Sequence, residues 1–220
     1  MQERQTALAM APFKALLVEG TSGVGKSTLI DALIRRHASS AQPRKIRSLI
    51  HLAQSHTYGP LAGREDRGTL TAEDSVQHLQ AILHMLQWLH AAVQEHTKPW
   101  CFVILDTLHL THCVRPGVVG WSDVEPIDRA LAALGCKLLF LHAQPQTIWE
   151  RGIAPRANEQ FLQQYAKKFG RTHEEIHEHF VREQETLSNL LTRSAMPKLL
   201  MRYDEDCGKA VEEAFRFWRS

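Results

Sequence analysis

A lysine and a serine close a glycine-rich stretch near the start of the chain, VEGTSGVGKSTLI, residues 18 to 30. Gly20 to Ser27 fit the pattern G-x-x-x-x-G-K-[ST], a set of residue types that does one kind of chemistry together. Glycines let a backbone approach an anion without a Cβ in the way, so N–H groups of Gly20, Thr21, Ser22, Gly23, Val24 and Gly25 can converge on phosphate. Lys26 would reach the β and γ phosphates, the Ser27 hydroxyl would sit on Mg²⁺, and Thr28 would line the start of a helix. The implied ligand is a nucleoside triphosphate with Mg²⁺.

The stretch has this meaning only between a strand and a helix, and its neighbours supply both. FKALLVE, residues 13 to 19, is an apolar run that reads as a buried strand, and Leu29, Ile30, Leu33 and Ile34 recur on one face of a helix from about Lys26. SSAQPR breaks that helix, and KIRSLIHL, residues 45 to 52, is the next strand. HLAQSHTYGPLAGREDRGTLT follows without clear periodicity, a long loop of the functional or mobile kind. Thr71 is the expected N-cap of a long helix that Pro99 ends, with Glu73 and Asp74 in its first turn.

WCFVILD, residues 100 to 106, is the most strand-like run and ends in an acid, Asp106. Ser122 with Glu125 predicts a capping box for a helix to about Leu134, KLLFLH (137 to 142) a fourth strand, and Pro145 the start of the next helix. ANEQFLQQYAKKFG reads as a helix stopped by Gly170, and Thr172 with Glu175 opens another. KLLMRY (198 to 203) and a final helix carrying Val211, Ala214, Phe215 and Trp218 complete the alternation. Strands that are apolar throughout, alternating with helices, imply a parallel sheet covered on both sides.

Composition sets limits. With 220 residues, 44% hydrophobic and 23% charged, the chain fits one globular domain, and a formal charge of +2 gives no general pull toward nucleic acid or membrane. Cys101, Cys113, Cys136 and Cys207 form no CxxC pair, and Cys101 and Cys136 sit in or beside apolar runs as buried thiols. No stretch approaches the roughly 20 apolar residues of a membrane span, and the first residues lack a leader pattern. The expectation is a cytoplasmic protein with a flexible tail over 1–11 and one domain over 12–220. His173, Glu174 and His177 spell H-E-x-x-H, a zinc hydrolase signature, but RTHEEIHEHFVREQE is charged on most faces and lacks an HxxGxxH continuation, so it reads as a solvated helix.

VEGTSGVGKSTL resembles the opening of thymidylate kinases and their nucleoside kinase relatives, where a strand ends in Glu-Gly ahead of the phosphate loop, as Glu19 and Gly20 do here. LHAQPQTIWER, residues 141 to 151, is similar to the strand and helix that lead to that family's lid, with Pro145 and Arg151 at the recurring spacing. The resemblance implies a three-layer α/β P-loop fold, a five-stranded parallel sheet of order 2-3-1-4-5, a helical lid over about 151–172, and a homodimer. Departures lie on the acceptor side: Thr107 and Leu108 follow the strand-ending acid where the family commonly has arginine, Ser22 stands where it often has aspartate, and HLAQSHTYGPLAG replaces an Arg-Glu-Pro stretch.

Transfer of a phosphoryl group needs cations at its oxygens. Arg151 and Arg156, in ERGIAPR, are the candidates, and Asp106 would orient Mg²⁺, directly or through water, or accept the acceptor's proton. By position, Gln54, Tyr58, Trp88, His109 and Arg115 are candidates for the acceptor pocket. The reading is an ATP-dependent kinase of a small molecule, a nucleoside, nucleotide or similar alcohol. A GTPase switch would show DxxG and NKxD, and neither is present; the alternative is a regulatory or motor ATPase acting on a protein partner, which the single acid ending FVILD weakens.

Overall fold

Phe13–Glu19 forms β1, and every one of its residues is buried because both of its faces are covered. Phe13, Ala15 and Leu17 point into one apolar cluster and Leu16 and Val18 into another. The computed structural model describes residues 13–40, 47–95, 100–115, 117–165, 168–202 and 207–220. The tail expected over 1–11, most of the SSAQPR break, Pro99 and Tyr203 lie outside the described residues.

The strands are β1, β2 (Arg47–Leu52), β3 (Trp100–Asp106), β4 (Lys137–His142) and β5 (Lys198–Arg202). They pair in parallel in the order β2-β3-β1-β4-β5, so the sheet and its order are those expected. On one face pack α4 (Ala72–Gln94) through Leu79, Leu83 and Leu86, and α6 (Trp121–Ala133) through Val124 and Ile127. The other face carries α1 (Lys26–Ser39) through Leu29, Ile30 and Leu33, and α10 (Cys207–Arg219) through Phe215 and Trp218. The long α9 (His173–Arg193) serves both clusters: Ile176 and Phe180 enter the second, Leu187 and Leu191 the first. The helices α2 (Gln54–Thr57), α3 (Gly59–Asp66), α5 (His109–Val114), α7 (Pro145–Ile148) and α8 (Glu159–Tyr165) are short and lie in the connections.

Local signals held at Thr71, whose hydroxyl accepts from Asp74 N at 3.1 Å while Asp74 accepts from Thr71 N at 3.1 Å, and at Thr172, which accepts from Glu175 N at 3.2 Å. Cys101 and Cys136 are buried free thiols. Two expectations are corrected. The stretch read as a long loop contains α2 and α3, whose buried contacts are single residues, Thr57, Tyr58 and Leu61, too few to show a period. The α6 cap is Gly120, whose N–H donates to Asp123 at 2.7 Å, while Glu125 instead meets Arg129 one turn on. Of the helix expected ahead of Gly170, Glu159–Tyr165 is described, residues 166 and 167 lie outside the described residues, and the Tyr165 carbonyl accepts from Phe169.

Candidate active site

The loop from β1 to α1 turns on glycines. Gly20, Gly23 and Gly25 have φ of 145, 84 and 96°. A Cβ on Gly20 would lie 2.7 Å from the Leu141 carbonyl oxygen of β4, so the loop's first residue must be glycine on both counts. Lys26 opens α1 and is only 8% exposed; its ammonium donates to the carbonyls of Gly20 at 2.7 Å and Thr21 at 2.9 Å. Burial first, then the nearby Arg115 charge, pushes the Lys26 ammonium below its ordinary value, against the opposing fields of Asp106, Glu183 and Glu19. Ser27 and Thr28 are exposed on the first turn, whereas Thr21 and Val24 are buried beneath the loop.

Asp106 ends β3 beside this loop. It is 8% exposed, and its Oδ1 is buried with no hydrogen-bond partner among the described residues. Burial raises its carboxyl above the usual range, with Lys26, His51 and Arg115 acting in the other direction. The backbone that carries it is held from several sides. Thr107 takes a φ of 61°, costly for a β-branched residue, and its N–H donates to Val18 O at 2.9 Å. The Asp106 carbonyl accepts from the hydroxyls of Thr57 and Thr107, both at 2.7 Å. Buried Glu19 accepts from Leu108 N at 2.8 Å and Thr111 Oγ1 at 2.7 Å, which ties the last residue of β1 to the segment behind the acid.

Thr57 is in turn fixed by two imidazoles, since its carbonyl accepts from His78 Nε2 and His112 Nε2, each at 3.0 Å. Ser75 donates to His112 Nδ1 at 2.9 Å, which fits a neutral ring, and burial pushes His112 down to about 4. His112 is fully buried, its ring edge-on to Tyr58 and stacked on His78.

One cleft of about 790 Å³ joins these parts. Ser22, Gly23, Gly25, Lys26, Ser27 and Thr28 form one wall, Asp106, Gln54 and Arg115 another, and Arg151 and Arg156 a third. Glu150, Pro155 and Tyr165 also line it, and none was singled out in the sequence. Three acceptor candidates do not line it. Tyr58 is buried and donates to Glu65 at 2.7 Å. Trp88, next to the apolar stripe of α4, is 68% exposed, because its position turns it away from the face that Leu79, Leu83 and Leu86 bury. His109 is fully buried and donates to Asp128 Oδ1 at 2.9 Å, an acid that also accepts from Ser194 and Ala195.

Arg115 reaches the cleft from the end of α5. Its Nε donates to Glu183 Oε1 at 3.1 Å, and Glu183 is 3% exposed on α9. A signal for Glu183 was present: with Ile176, Phe180 and Leu187 it occupies the buried stripe, where a carboxylate must have a partner. The H-E-x-x-H residues are spent otherwise, with His177 donating to Pro145 O at 2.8 Å and His173 stacked on Phe161.

The arginine wall is set by its backbone. After α7 the chain makes one wide π-type turn, Trp149–Ile153, then a tight turn, Ala154–Arg156. Such turns interrupt regular helices mainly at functional sites. Gly152 in this turn lies against Gly23 of the phosphate loop. Farther along, Lys168 bridges Glu65 at 3.1 Å and Asp66 at 2.5 Å, linking the segment after α8 to α3.

Among the described residues no helix is long and apolar enough to cross a membrane. No family model and no curated protein matches the chain. Among solved structures, the YorR protein of Bacillus subtilis, crystallised in complex with phosphorylated GDP, is similar over 92% of this chain and 91% of its own, with 14% identity and a TM-score of 0.52. At that identity the likeness is one of fold: this chain has a three-layer α/β architecture shared with a nucleotide-bound protein.

Proposed function

We propose that this chain is an ATP-dependent phosphotransferase of the thymidylate kinase-like group, moving the γ-phosphoryl group to a nucleoside, nucleotide or similar small alcohol. The observation that carries this reading is the unpartnered Oδ1 of Asp106, buried in the same cleft that Lys26, Arg151 and Arg156 line. A phosphate loop alone binds nucleotide. An acid at the adjacent strand end, with cations on the facing wall and a further opening toward Gln54 and Arg115, provides for a second reactant.

The same orphaned oxygen suits Mg²⁺, a hard cation that takes oxygen ligands. Ser27, exposed on the first turn of α1, and Asp106 would hold it, directly or through water, and it would neutralise charge on the β and γ oxygens. In this assignment Lys26 holds the donor's phosphates, and Arg151 and Arg156 close on the group in transfer from a lid over about 151–172. Gln54 orients the acceptor. Thr107 stands where a motor would place a second acid beside Asp106, which favours transfer to a metabolite over mechanical work.

A screen of ADP release over nucleosides, nucleoside monophosphates and aminoglycoside-like alcohols tests the proposal. Stimulation by one class well above the rate in water is the expected result. Release that no acceptor stimulates sinks the kinase reading.

A further inference from the structure

Arg151 and Arg156 are exposed residues on a segment of short turns, whereas Arg115 is a cation on the cleft's floor whose side chain is only 13% exposed. Its guanidinium carries five N–H donors in one plane. One edge is committed, since Nε donates to Glu183 Oε1 at 3.1 Å. The terminal nitrogens on the other edge have no hydrogen-bond partner among the described residues, and Arg115 lines the cleft together with Lys26, Asp106 and Gln54.

Glu183 is an unusual residue for its place. It sits in the apolar stripe of α9 between Phe180 and Leu187, its side chain is 1% exposed, and its Oε2 has no hydrogen-bond partner among the described residues, with His179 Nε2 3.8 Å away. A buried ion pair is a poor way to gain stability, because apolar residues of similar volume do as well or better. What this pair does supply is direction: α9 fixes the carboxylate, and the carboxylate fixes the plane of the guanidinium. The charge of Arg115 bears on both halves of the cleft. It depresses the Lys26 ammonium, after burial, and opposes the burial that raises the Asp106 carboxyl.

We propose that Arg115 is the fixed cation that stabilises the phosphoryl group during transfer, and that Glu183 is the residue that positions it. The inference rests on the phosphotransfer reading above. In the step concerned, the acceptor oxygen forms a bond to the γ-phosphorus while the bond to the bridging oxygen breaks. The bridging oxygen keeps the electron pair as ADP departs, and the acceptor's proton passes to the Asp106 carboxylate, or to water where that carboxylate holds Mg²⁺. Electron density ends on the bridging oxygen on the Lys26 side while the phosphoryl oxygens pass toward the Asp106 side, and Arg115 lines the cleft with both.

The experiment needs no acceptor. ADP with Mg²⁺ is titrated into the full chain with and without aluminium fluoride, which imitates the transferring group, for wild type, Arg115→Lys, Glu183→Gln and Glu183→Asp. The expected result is that fluoride tightens ADP binding to the wild type on the order of tenfold or more. Arg115→Lys, which keeps a charge opposite Glu183, and Glu183→Gln, which keeps its volume, should lose that tightening while binding ADP alone as the wild type does. Glu183→Asp should recover part of it. The proposal is overturned if both variants tighten as the wild type does, if fluoride has no effect on the wild type, or if ADP affinity and melting temperature fall together in both. Failure of the kinase reading looks different: tightening by fluoride is intact, but no acceptor stimulates ADP release.

Discussion

Gly23 and Gly152 meet backbone to backbone, the first in the phosphate loop and the second in the turn that carries Arg151. A Cβ added to Gly23 would stand 2.6 Å from Gly152 Cα, and one added to Gly152 would stand 3.1 Å from Gly23 Cα. The contact sets how far the turn that carries Arg151 lies from the glycine loop.

Alanine at the two positions should therefore act differently. Gly23→Ala meets both a clash and a φ of 84°, so ATP affinity and stability both fall, the latter by about 1–3 kcal/mol. Gly152→Ala asks for a shift of a few tenths of an ångström and should lower kcat more than ATP affinity. Paired nucleotide titrations, melting curves and turnover measurements separate the two patterns; identical behaviour of the variants would show that the contact is only packing.

Lys26→Ala should lose transfer by on the order of a hundredfold or more while melting within a few degrees of the wild type. Its ammonium caps two loop carbonyls but is shifted down by burial, so the fold gains little from the charge. A loss of melting temperature that parallels the loss of activity would count against this division.

Asp106 has to be ionised to serve metal or proton, and burial raises its carboxyl. The acidic limb of the pH–rate profile should lie above the usual carboxylate range, with activity rising as pH rises through it. Asp106→Asn should abolish that limb along with most of kcat. An acidic limb unchanged in Asp106→Asn would assign the titration to another group.

Stability should fall in acid because of His112. The buried ring titrates at about 4, against 6.5 for an exposed histidine, so the unfolded chain binds more protons between those values and stability drops as pH falls from about 6.5 toward 4. The full loss is about 3 kcal/mol at most. Urea midpoints for wild type and His112→Gln at pH 7 and pH 5 provide the check: the variant should be the less pH-sensitive of the two.

These groups were not equally legible in the sequence. The phosphate loop was, since its ligands are consecutive residues and its flanking periods change from strand to helix around Lys26. The strands and their parallel pairing were legible in runs such as FVILD and KLLFLH, whose apolar residues face helices on both sides, while their order came only with the resemblance to thymidylate kinases. Pairings across long separations were not legible. Glu183 lies 68 residues from Arg115, and His109 meets Asp128 only because α6 folds back under α5. Trp88 shows the opposite failure, in which a large aromatic one position off the stripe looks like a contact and is solvent-facing. Thr107 could not have been assigned its strained backbone from its type, because its conformation is imposed by Val18, Thr57 and Asp106 together.

The position of β1 between β3 and β4 also governs when the site can exist. Phe13 pairs with Cys101 and Leu16 with Lys137, so the strand that launches the phosphate loop has no partner nearby in sequence. During synthesis its residues emerge before both partners and wait until the two later strands have left the ribosome. On the reading proposed above, nucleotide can be captured only once β3 and β4 flank β1, and an apolar strand with both edges open until then is the segment a chaperone would most usefully cover.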